Sequence, residues 1–139
     1  MPTDAKKIAQ DSAAAMFAND DASKLIGITI DDVGPSSATV SMVVRADMTN
    51  GLDVCHGGYL FTLADTAMAF ASNSRNNVAF ATGATVDFIA PGKRGATLSA
   101  VAVETNLSGR NAIYDVTVTD TADGTTIALF HGRTRDVTR

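Results

Sequence analysis

Between His56 and Arg75 the chain carries a single charged side chain, Asp65. Around it runs YLFTLADTAMAFASNS, residues 59–74, the most apolar stretch of the sequence. A carboxylate in such company is costly unless it is hydrogen-bonded, paired or protonated. Its presence therefore asks for a reason. The bland ones are a carboxylate bonded to the neighbouring Thr62 or Thr66 hydroxyls, or one that simply faces water. Upstream lies His56-Gly57-Gly58, at the entrance of the same apolar run. A helix beginning there offers unpaired N–H groups and a positive dipole end, and glycine lets a ligand carbonyl approach the backbone closely. Acyl transfer needs donors of that kind for the oxygen that gains charge in the transition state. Ordinary loop glycines with a capping role would fill the same positions. Gly57 and Asp65 are eight residues apart, about 12 Å along a helix at about 1.5 Å per residue. One carbonyl cannot touch both at about 3 Å. Two antiparallel helices from two protomers would bring Gly57 of one near Asp65 of the other, which predicts a composite site at a dimer interface.

The elements that must position these residues follow from periodicity. Residues 4–20 carry apolar positions at 9, 13, 16 and 17, a helical stripe, with Thr3 as the expected N-cap. Residues 26–33 and 38–46 alternate around Pro35-Ser36-Ser37 and read as a hairpin. Residues 47–58 are polar and aperiodic, a loop. The run 59–74 reads as a helix that is apolar on every side and therefore buried all round. Alternating strands follow at 79–90, 96–107, 111–121 and 125–135, divided by Pro91-Gly92, Ser108-Gly109 and Asp123-Gly124, and are expected to hairpin in sequence. The predicted fold is one α+β domain over residues 1–139, an antiparallel sheet wrapped around one long central helix, with an additional N-terminal helix. That is the hotdog arrangement, and its open sheet edge invites a second copy.

Composition narrows the function classes. The net charge of −4 argues against nucleic acid and anionic membrane surfaces as partners. A lone Cys55 excludes an internal disulfide framework, and the chain reads as soluble and cytoplasmic. Charged residues are 26 of 139, against about a quarter in an average domain, although small domains need the most polar cover. With 23 alanines in the chain, part of the surface is expected to be covered by copies of itself. Cys55-His56 does not form a nucleophilic dyad by adjacency alone, and Cys55 reads as a packed thiol. Two histidines and one cysteine show no metal-ligand spacing; no metal or other cofactor is expected. No G-x-S-x-G elbow, Walker A loop or dinucleotide fingerprint occurs, and His131, in the last strand, reads as a surface residue.

The stretches NGLDVCHGGYLFTLADTA (50–67), VDFIAPG (86–92) and YDVTV (114–118) resemble the PaaI-type phenylacetyl-CoA thioesterases of the hotdog superfamily. The resemblance implies hydrolysis of aryl-acetyl-CoA thioesters by a homodimer with shared sites, paired into a homotetramer. It also implies roles. Asp65 activates water or attacks the thioester carbon, Gly57 polarises the carbonyl through its N–H, Asn50 orients water or substrate, and His56 lies near the sulfur or holds the loop. Gly58, Thr66 and Thr82 would line the substrate site, and Lys93, Arg94 and Arg133 would meet the CoA phosphates, which call for cations. The competing readings are a non-catalytic acyl-CoA-binding protein and a broad-specificity medium-chain acyl-CoA thioesterase. A hotdog dehydratase would need a different helix motif, absent here.

Overall fold

The computed structural model describes residues 2–138. Helix α1 spans Pro2–Ala18 and turns Ala9 and Ala13 into the core, with Met16 and Phe17 half-buried beside them. It starts one residue before Thr3, whose side chain lies outside the described residues. Lys6 ties α1 to the sheet through Asp32 at 2.8 Å. A one-turn helix, α2 (Asp21–Leu25), was not expected from periodicity; Asp20 caps it by accepting from the Ser23 N–H and hydroxyl. Ile26 and Ile28 are buried where the chain leaves α2, so the first strand, β1 (Thr29–Gly34), starts later than its alternation predicts. It pairs antiparallel with β2 (Ser37–Val43), the expected hairpin.

A polar loop then leads into α3 (Gly57–Ser72), followed by β3 (Ala79–Phe88), β4 (Thr97–Ser108), β5 (Asn111–Asp120) and β6 (Thr126–Asp136). The six strands form one antiparallel sheet in the order β1-β2-β4-β5-β6-β3. The sheet curls around α3, whose Leu63, Ala64, Ala67, Met68, Phe70 and Ala71 are fully buried against Val40, Met42, Leu98, Ala100, Val116, Val118 and Phe130 of its inner face. This is the hotdog fold. Gly132 makes the close packing possible, because any side chain there would collide with Met68.

Two expectations need correction. The last four strands do not hairpin in sequence: β3 pairs with β6, and β4 lies between β2 and β5. Ser108-Gly109 and Asp123-Gly124 are true hairpin turns, with Gly109 and Gly124 at φ +61° and +74°. Gly92 instead marks a close approach, since a side chain there would press on Cys55 and Leu98 as the chain crosses the end of α3. Nor is α3 buried all round. Gly58 and Phe61 are exposed and Thr62, Asp65 and Ala69 are half-buried, a stripe left open along one side of the helix. The sheet wraps α3 but ends at β3, and a single chain has nothing further to cover that side.

Candidate active site

The N-terminus of α3 is built by the loop before it. Asn50 folds that loop by accepting the N–H groups of Leu52 (2.9 Å) and Val54 (3.4 Å) on Oδ1, and its own N–H reaches the Val54 carbonyl at 2.9 Å. The His56 N–H is held by the Met48 carbonyl at 2.8 Å, which aims the chain into the helix. The His56 side chain then caps it, Nδ1 accepting the Gly58 N–H at 3.0 Å. A neutral His56 therefore carries its proton on Nε2. Thr62 closes the first turn by donating to the Gly58 carbonyl at 2.9 Å. These bonds commit both backbone groups of Gly58.

The Gly57 N–H, by contrast, has no hydrogen-bond partner among the described residues, and neither does the Asn50 side-chain NH₂. Both residues line a cleft of about 530 Å³ with His56, Leu60, Phe88 and Pro91. Unpaired donors at the positive end of a helix, beside apolar walls, form a site for an oxygen that becomes anionic.

Asp65 lines a second cleft, of about 370 Å³, with Met16, Met68, Asn73 and Phe80. Its carboxylate has no hydrogen bond or ion pair among the described residues. Thr62 is engaged with Gly58, and Thr66 is buried on another face of α3 with its hydroxyl 3.4 Å from that of Ser23. The alternatives in which Asp65 bonds a neighbouring hydroxyl are thereby removed. Burial among apolar groups holds its pKa above the ordinary value near 3.8. A carboxylate with raised proton affinity and no structural partner is suited to accept a proton.

The two clefts share no lining residue. The structure thus brings Asn50, His56, Gly57 and Gly58 together and keeps Asp65 apart, as the spacing along the helix requires. The expected cations also divide. Lys93 pairs through its backbone with Val54, and Arg94 binds Asp53 (Nε to Oδ1, 3.1 Å), so both belong to the Gly57 end. Thr82 is exposed at the irregularity in β3 between Ala81 and Gly83, and the Arg133 guanidinium lies across Gly83 on the outer face of the sheet and lines neither cleft. Cys55 is buried and burial pushes its thiol up to about 11, which leaves no nucleophile there. His131 pairs with Asp115 at 2.7 Å on the outer face of the sheet, in neither cleft. Phe88, missed from the sequence, stands against Gly57.

The fold and the sequence place this chain among the thioesterases. The sequence model of the thioesterase superfamily matches residues 52–127, and the chain belongs to that superfamily. Within it, the chain is 40% identical over 126 residues to the acyl-coenzyme A thioesterase PaaI of Escherichia coli K12, covering 91% of this chain and 89% of that one. The solved structure of E. coli PaaI, from the phenylacetic acid degradation operon, superposes with a TM-score of 0.92 at 39% identity, over 95% of both chains. A variant of the phenylacetic acid degradation protein PaaI from Thermus thermophilus superposes with a TM-score of 0.77 at 39% identity, over 81% of this chain and 96% of that one. The chain is a PaaI homologue of the acyl-CoA thioesterase class.

Proposed function

We propose that the protein hydrolyses aryl-acetyl-CoA thioesters, phenylacetyl-CoA or its hydroxylated forms, to the free acid and CoA in the cytoplasm, at sites shared between two copies of the chain. The observation that carries this reading is the pair of unpartnered groups on one helix, the Gly57 N–H and the Asp65 carboxylate, in clefts that share no residue. Antiparallel pairing of two α3 helices brings each Gly57 to the partner's Asp65. The PaaI relatives support the acyl-CoA class; the open stripe on α3 supports the dimer, and pairing of two such dimers gives the tetramer.

The chemistry follows from the groups. The thioester oxygen sits at the Gly57 N–H, with the Asn50 NH₂ as a second donor, because Asn50 Oδ1 is already committed to its loop. Asp65 removes a proton from water as the hydroxyl oxygen adds to the carbonyl carbon, and the developing oxyanion is held by the helix end. Collapse breaks the carbon–sulfur bond, and the proton held by Asp65 passes to the departing sulfur. His56 serves this step by capping the helix that carries the donor. Lys93 and Arg94, beside the Gly57 cleft, are the cations placed for the CoA phosphates, while Arg133 stands on the outer face of the sheet.

A panel of acyl-CoA thioesters, read by trapping the released thiol, tests the proposal; the buried Cys55 adds no background. Phenylacetyl-CoA is expected to turn over with the highest kcat/KM. A preference for medium-chain acyl groups would overturn the substrate class, and tight binding without CoA release would overturn the enzymatic reading. Single turnover in H₂¹⁸O puts label in the product acid for a general base; label in Asp65 would establish direct attack.

A further inference from the structure

Phe88 ends β3, pairs with Ala128 of β6, and follows Ala84 and Val86 on the face of the strand turned toward α3. Its ring is more than half exposed, unusual for a phenylalanine placed inward. Its tip stands against the Gly57 backbone: a Cβ built on Gly57 would lie 3.0 Å from Cζ and 3.4 Å from both Cε atoms. The same ring lines the cleft that holds Gly57 and Asn50. No hydrogen bond holds the Gly57 amide within the chain, so what surrounds it decides whether it meets water or substrate.

We propose that Phe88 is the positioning residue for the Gly57 amide, its ring tip sealing one side of the donor against water and holding the first helical residue in place for the thioester oxygen. The inference rests on the reading of Gly57 as the carbonyl donor. A donor in a water-excluded setting stabilises developing charge more strongly than one in contact with solvent. The effect therefore falls on kcat, because the charge on the oxygen grows only in the transition state. The contact also explains the glycine from the protein side. Any side chain at position 57 would push the ring away, so Gly57→Ala disturbs the same contact while leaving the N–H present.

The test pairs kinetics with solvent exchange on the assembled protein. In Phe88→Ala, kcat for phenylacetyl-CoA is expected to fall about 10-fold, less than the loss on removing an oxyanion donor outright, with KM changed less than about 2-fold. Water exchange of the Gly57 amide, followed by NMR on glycine-labelled protein, is expected to rise several-fold while core amides of α3 keep their rates. Phe88→Leu, which keeps an apolar cover, recovers part of both. Gly57→Ala lowers kcat alone, and its effect shrinks in the Phe88→Ala background, since the contact is already lost. An unchanged Gly57 exchange rate in Phe88→Ala overturns the inference whatever the activity does. A raised exchange rate with unchanged kcat overturns it too, and places the fault in the reading of Gly57 as donor. A rise in KM alone would make Phe88 a binding surface only, which also overturns it.

Discussion

Asp65 is a carboxylate whose environment works against its own charge. No donor on α3 serves it, because Thr62 turns back to Gly58 and Thr66 turns inward to Ser23. Burial among apolar groups raises its pKa, so the folded chain holds this proton more tightly than the unfolded chain. For a carboxyl group shifted in that direction, stability falls as pH rises through the folded pKa. Asp65→Asn is therefore expected to stabilise the protein at neutral pH, by about 1 kcal/mol. The gain should fade as pH falls through the ordinary value near 3.8, below which the carboxyl is protonated in both states. Thermal melts of the two proteins across pH check this. The same substitution should lower kcat at least about 100-fold. In the parent, kcat/KM should rise with pH along an acid limb lying above the ordinary carboxylate range, and that limb should vanish in the variant. Near-normal turnover by Asp65→Asn would remove Asp65 from the chemistry. The candidate carboxylate was legible at this scale because a lone charge in an apolar helix stands out in any sequence. Phe88 was not, because a phenylalanine at the end of a strand looks the same whether it fills a core or covers a helix end.

At the level of elements, α3 both organises the fold and carries the two groups proposed for the chemistry. Its N-terminus depends on the His56 cap, which satisfies the Gly58 N–H and leaves the Gly57 N–H as the free donor. His56→Ala should cost about 1 kcal/mol, lowering Tm by about 3 °C, and should reduce kcat by loosening the helix start. His56→Asn, which can cap through its side-chain oxygen, should restore most of the stability. Calorimetry and steady-state kinetics on the two variants check the pair, and a His56→Ala protein as stable as the parent would contradict the capping role. The helix itself was readable from its apolar run, and the hairpins β1–β2, β4–β5 and β5–β6 from their turns. The pairing of β3 with β6 was not, because alternation reports that a strand has an inner and an outer face and says nothing about its neighbour. The open stripe on α3 was hidden for a related reason. Phe61 and Ala69 look equally fit for a core and for a surface that another copy covers.

In the whole molecule, the low charge and the open stripe along α3 point the same way. Val78, Phe80, Phe88 and Ile89 are exposed along and just beyond β3, which lies at the edge of the sheet. Exposed apolar groups beside free backbone donors and acceptors are what a second copy would cover. No helix among the described residues is long and apolar enough to cross a membrane. The central claim is that each site takes its donor from one chain and its carboxylate from another, and subunit complementation tests it most directly. Asp65→Asn removes the base, while Gly57→Pro removes the donor N–H at a first helical position where proline fits the backbone. Each protein alone should be nearly inactive. After the two are mixed and their subunits exchanged, half the dimers are mixed and each has one intact site, so activity should return to about a quarter of the parent's. Failure to regain activity, with exchange verified by mass spectrometry of the intact dimers, would contradict the shared site and place both groups of each site in a single chain.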